Sequence, residues 1–133
     1  EHNKHLVEAA QQAGVATTMD FAIFQNHGYK GLYGGLDQNA IHQRKELKKS
    51  QKILDFMGST ELAANLFRAT QTEEKLRRDQ IKSRQQANQT HFNVGQKVRK
   101  TIEELGGTMP ENLPVPKHSI QHIESTTKKL SKK

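Results

Sequence analysis

The chain has 133 residues, with 21 Lys and Arg against 14 Asp and Glu, a formal net charge of +7, and 32% hydrophobic residues. That length suits one domain, and only 28 Leu, Ile, Val and Phe residues predict thin helical packing with at least one floppy segment, not a thick core. Having no Cys excludes a disulfide framework, a thiolate zinc site and a cysteine nucleophile, and no apolar run is long enough to cross a membrane.

Glu1 opens the chain without a charged-then-apolar leader, so the expectation is an excised piece of a longer cytoplasmic protein. Residues 1–12 are polar and helix-forming, and Gly14 suits the position just past a helix end. Thr17-Thr18-Met19-Asp20 reads as a capping box, opening a short helix that buries Phe21, Ile23 and Phe24 and ends near Gly28. Gly28, Gly31, Gly34 and Gly35 then predict a tightly turned loop. Asp37 is the N-cap expected for a helix that runs to Met57 and stops at Gly58.

Ser59 or Thr60 caps a further helix with the stripe Leu62, Leu66, Ala69 and Leu76. The polar residues 83–89 bend it or separate it from another, which carries Ala87, His91, Val94, Val98, Ile102 and Leu105 and ends at Gly106-Gly107. No period-two strand is present. The expected fold is all-α: a domain of about four helices over 1–107, with an extended, proline-punctuated, mobile basic tail over 108–133.

Cations concentrate in two places. On a helix over 37–57, Arg44, Lys45, Lys48, Lys49 and Lys52 share one arc, opposite Ala40, Leu47, Leu54 and Met57. Such an arc either neutralises a row of phosphates or is a solvated face. Residues 75–100 hold Lys75, Arg77, Arg78, Lys82, Arg84, Lys97, Arg99 and Lys100, with Asp79 the lone acid. That density favours a nucleic-acid or acidic-protein surface. Beside Lys30, the glycine loop sets Tyr29 and Tyr33 either to stack on unpaired bases or, the reading adopted, to cover a small core.

His2/His5 and His118/His122 have helical spacing, but no acid completes a zinc motif, and His91 falls on an apolar stripe. Without a nucleophile elbow, and with Glu73-Glu74 and Glu103-Glu104 splayed around their helices, no catalytic, cofactor or metal site is expected.

Longer words in the chain carry a resemblance. Gly28-Tyr29-Lys30-Gly31-Leu32-Tyr33-Gly34-Gly35-Leu36 with Ile41-His42-Gln43-Arg44-Lys45, and Ser59-Thr60-Glu61-Leu62-Ala63-Ala64-Asn65-Leu66-Phe67-Arg68-Ala69-Thr70-Gln71-Thr72-Glu73-Glu74-Lys75, are similar to the bacterial DNA-damage-inducible protein D family. The likeness extends through Gly106-Gly107-Thr108-Met109-Pro110-Glu111, and the chain resembles the C-terminal half of that family. The larger N-terminal domain, similar to phage Bro-type antirepressor domains, is not represented in it. The resemblance implies a protein made in the SOS response that antagonises the RecA recombinase filament on single-stranded DNA, without enzymatic activity or cofactor.

The rival expectation is a stand-alone DNA-binding or antirepressor-like regulatory module, with Gln43, Arg44 and Gln51 available to read bases. The apolar stripes of the last two helices exceed what one small partner helix covers, which is compatible with a homo-oligomer.

Overall fold

The computed structural model describes residues 2–117. In chain order these form α1 (His2–Gln12), α2 (Thr18–Leu32), α3 (Gln38–Arg44), a 3₁₀ turn (Ile53–Phe56), α4 (Ser59–Arg78), α5 (Arg84–Glu104) and a second 3₁₀ turn (Pro110–Asn112). The all-α expectation holds, and several local signals fall where the sequence puts them. Gly14 takes φ +100° just past α1. Thr17 Oγ1 accepts from the Asp20 amide at 3.0 Å while Asp20 accepts from the Thr17 amide, completing the capping box. Asp37 caps α3 by accepting from the Ala40 amide at 2.9 Å. At α4 the cap is instead Gly58, without a side-chain bond, and Ser59 is the first helical residue.

The glycine segment is not the loop its composition predicts. The second helix runs through Gly28 and Gly31 to Leu32, and only Tyr33, Gly34 and Gly35 turn, with Gly34 and Gly35 at φ +67° and +106°. These glycines let two helices meet backbone to backbone. A Cβ on Gly95 of α5 would lie 2.7 Å from the Gly28 carbonyl oxygen and 2.8 Å from the Leu32 amide. One on Gly31 would strike the Phe92 carbonyl, and one on Gly28 the His91 ring. Each interior glycine costs about 1 kcal/mol of helix propensity. Contact along the α2–α5 crossing, the most extensive helix pairing in the fold, offsets it.

The long helix over 37–57 also gives way. Its first turns form α3, but the helix stops at Arg44, and Glu46 adopts φ 56°. A continuous helix would stack like charges four residues apart, Arg44 on Lys48, Lys45 on Lys49 and Lys48 on Lys52. The reversal after α3 is held by His42, whose Nε2 donates to the Lys48 and Gln51 carbonyls at 3.1 and 2.9 Å.

Helices α4 and α5 form a hairpin that turns over 79–83, earlier than the polar stretch suggested. Gln80 takes φ 50° there, and Ser83 caps α5 through the Gln86 amide. One apolar cluster gathers Leu6, Ala10, Val15, Phe24, Leu76 and Ala87. A second gathers Tyr29, Leu32, Tyr33, Ile41, Ile53, Met57 and Val98. Leu105, expected on the buried stripe of α5, is 81% exposed. Residues 108–117, expected as part of a mobile tail, instead pack on the helices, with Pro110 buried. The remainder of that expected tail, 118–133, and with it His118 and His122, lies outside the described residues.

Candidate interaction surface

A chain of buried polar groups crosses the domain where the two apolar clusters meet. Lys45, on the turn after α3, pairs with Glu61 of α4 at 2.7 Å and also donates to the Phe56 carbonyl. Tyr33 donates to the other Glu61 oxygen at 2.5 Å, and Asn65 Nδ2 donates to the Tyr33 hydroxyl at 3.0 Å. Burial and the facing Glu61 carboxylate both push the Tyr33 hydroxyl pKa well up, so it stays a donor. Arg68, 3% exposed, donates to Asn65 Oδ1 and to His91 Nε2, and its guanidinium lies 5.0 Å above the Tyr29 ring. No carboxylate is among its described partners. The Tyr29 π-face and neutral dipoles stabilise this cation, while its Nε is buried without a hydrogen-bond partner.

A second arrangement holds the segment after α5. Arg99 forks onto Glu111, with Nη1 and Nη2 donating to Oε1 and Oε2 at 2.8 and 2.9 Å, and Nη1 also donates to the Leu32 carbonyl. Arg44 donates from Nε to the Glu111 carbonyl at 2.7 Å and from Nη2 to Asn112 Oδ1 at 2.6 Å. Burial alone would lift the Glu111 carboxyl, but hydrogen bonds from Arg99 and the charge of nearby Arg44 outweigh it and hold the pKa below the usual value. Two arginines on separate elements thus clamp 110–112 as a strap beside the Lys45–Glu61 pair.

The open surface lies between α4 and α5. A groove of about 660 Å³ has Phe67, Gln71, Lys75 and Arg78 on one wall and Val94, Lys97, Val98 and Thr101 on the other. It adjoins a hollow of about 370 Å³ lined by Ala63, Ala64, Val98, Ile102 and Leu105, with Pro110 and Leu113 of the strap at its edge. Phe67, Val98 and Thr101 border both, so the two form one trough, basic at one end and aliphatic at the other. On the opposite side of α5, Lys30, Arg99 and Lys100 surround a third hollow beside Gly34 and Gly35.

This arrangement sorts the residues singled out from the sequence. Tyr29 and Tyr33 are buried, so they cover the core as the adopted reading had it and offer no ring for base stacking. Lys45 is not on an outward arc but in a buried ion pair, and Arg44 and Arg99 are committed to the strap. Arg77 and Arg78 pair with Glu73 and Glu74, Lys75 with Asp79, and Arg84 with Asp20. Lys30, Lys48, Lys49, Lys52, Lys82, Lys97 and Lys100 form no ion pair among the described residues. Lys48, Lys49 and Lys52 lie on the loop after α3 and Lys82 on the α4–α5 turn, so only Lys97 and Lys100, with Lys75 and Arg78, converge on the trough.

Sequence reasoning missed the buried face of α4. Glu61, Asn65, Arg68 and Thr72 recur at spacings of four, three and four, a helical stripe concealed by its polarity. It also missed Phe67, whose position beside the apolar stripe was the available signal. Among the described residues no group of three or more His, Asp or Glu gathers to hold a metal, and no helix is long and apolar enough to cross a membrane.

A small all-helical domain with a glycine-mediated helix crossing, a buried polar stripe and a basic–aliphatic trough is thus the class this chain defines. Residues 1–123 match the family model of the DinD C-terminal domain, and the chain belongs to that family, as the longer words in its sequence indicated. It is 77% identical over 133 residues to DNA damage-inducible protein D of Escherichia coli (strain K12), a match covering 100% of this chain and 48% of that protein. The chain therefore spans about half the length of the curated relative it matches. No solved structure matches it.

Proposed function

We propose that this domain serves a bacterial DNA-damage response by antagonising the RecA recombinase filament on single-stranded DNA, through contact with the filament's protein, its DNA or both. Family membership and the name of the E. coli relative support the damage-response setting. The observation that carries the contact is the trough, where Lys97 and Lys100 stand without an ion pair among the described residues. A recombinase filament carries the phosphate charge of its DNA, and a basic domain is steered towards such a polyanion. The rival, a duplex-reading module, has less support. Helix α3 has seven residues, and Arg44, its most direct base-reading candidate, is held by Glu111 and Asn112.

The test adds the chain to preformed RecA filaments on single-stranded DNA and follows strand exchange. The expected result is a dose-dependent loss that weakens as salt rises and is reduced by Lys97→Glu with Lys100→Glu. Undiminished strand exchange at protein stoichiometric with recombinase overturns the proposal.

A further inference from the structure

We infer that the α4/α5 trough docks an acidic protein segment bearing aliphatic anchors, rather than nucleic acid. The inference rests on the filament-antagonist reading and adds the chemistry of what is held. Phe67 is 54% exposed and Leu105 81% exposed, and between them Ala63, Ala64, Val98 and Ile102 line a hollow with almost no polar lining. Such a hollow suits Leu, Ile or Val side chains. Successive bases need a series of flat aromatic platforms, and the trough supplies one, Phe67. At the other end Lys97 and Lys100, which form no ion pair among the described residues, set positive charge beside the anchor positions, while Lys75 and Arg78 opposite are paired with Asp79 and Glu74.

A segment that seats aliphatic side chains in the hollow would lay its carboxylates along these lysines, as amphipathic segments do in hydrophobic grooves. Charge argues against two other occupants. Residues 118–133 of this chain carry four Lys and one Glu, and a second copy brings a net charge of +7. Both would meet the basic wall with like charge.

The probe is a fluorescein-labelled peptide, Glu-Glu-Leu-Leu-Glu-Asp-Leu-Leu-Glu-Glu, titrated with the chain in the absence of recombinase. Its controls are the same peptide with every Leu replaced by Ser, and oligo(dT) of equal net charge. The expected result is binding of the leucine peptide alone at moderate salt. Phe67→Ser with Leu105→Gln, and separately Lys97→Glu with Lys100→Glu, should each weaken it about tenfold. All four side chains are solvent-facing, and circular dichroism of both variants should match the parent. Leu105→Gln alone, at a position this exposed, keeps the test independent of folding and should still lower affinity.

Equal binding of the serine peptide, tighter binding of oligo(dT), or parental affinity in either double variant overturns the inference. Because the titration contains no filament, its failure leaves antagonism to be judged by strand exchange, and failed antagonism leaves the groove assignment to be judged by the titration.

Discussion

Arg68 donates from Nη1 to Nε2 of His91, and His91 donates from Nδ1 to the Phe24 carbonyl 2.8 Å away. Together the two bonds specify the tautomer of a fully buried imidazole, join α4 to α5 and tie α5 to α2. A protonated His91 could not accept from Arg68 and would set two cations side by side in the core.

Burial, reinforced by the charge of Arg68, lowers the His91 pKa well below its ordinary 6.5, and burial and Lys30 move His27 in the same direction. The unfolded chain takes up these protons first as pH falls, so the stability they contribute is complete above about pH 6.5 and declines below it until the folded values are reached. His91→Gln can preserve both hydrogen bonds through its amide while removing one titration. Between about pH 7 and about pH 5.5 the parent should lose about 1 kcal/mol more than the variant. Urea unfolding at the two pH values measures this, and equal losses would contradict a neutral buried His91.

Gly95→Ala should destabilise the domain by about 3 kcal/mol, because its Cβ meets backbone atoms of α2 that cannot turn aside. Gly58→Ala, where nothing lies within 4 Å of the added Cβ, should cost no more than about 1 kcal/mol. Chemical denaturation compares the two, and similar losses would mean that the α2–α5 crossing tolerates a wider spacing.

Arg99→Ala should release the strap without unfolding the helices. The protected amides to follow are Asn112, which donates to the Met109 carbonyl, and Leu113, which donates to the Pro110 carbonyl. A partly exposed bidentate pair of this kind is worth about 1–2 kcal/mol, so hydrogen exchange at these amides should quicken about tenfold. Exchange in α2 should be unchanged. Unaltered protection of 112–113 would show that Arg44 and the burial of Pro110 hold the strap without the fork.

Removing one member of the Lys45–Glu61 pair leaves a buried charge uncompensated. Lys45→Met should cost about 3 kcal/mol, whereas adding Glu61→Gln, which lets Tyr33 keep its acceptor, should recover part of that loss. Thermal unfolding of both singles and the double closes the cycle. Additive losses would indicate that the two side chains act independently.

The fold class and the helix starts at Thr17 and Asp37 were legible along the chain because they depend on neighbours in sequence. Thr17 and Asp20 are three residues apart, as are Asp37 and the amide it caps, and no distant group is needed for either bond. Partner-dependent features were not legible. Gly28 and Gly31 read as helix breakers until α2 and α5 come together, when their missing side chains, with that of Gly95, become the reason the helices pack. Arg44, Lys45 and Arg99 read as free cations because Glu61 and Glu111, their counter-charges, lie 12 to 67 positions away in sequence. Composition and period decide that this chain is a basic, helical domain; which of its charges face solvent is decided in the tertiary structure, because a buried ion pair, a cation–π contact and an exposed lysine have the same appearance in one dimension.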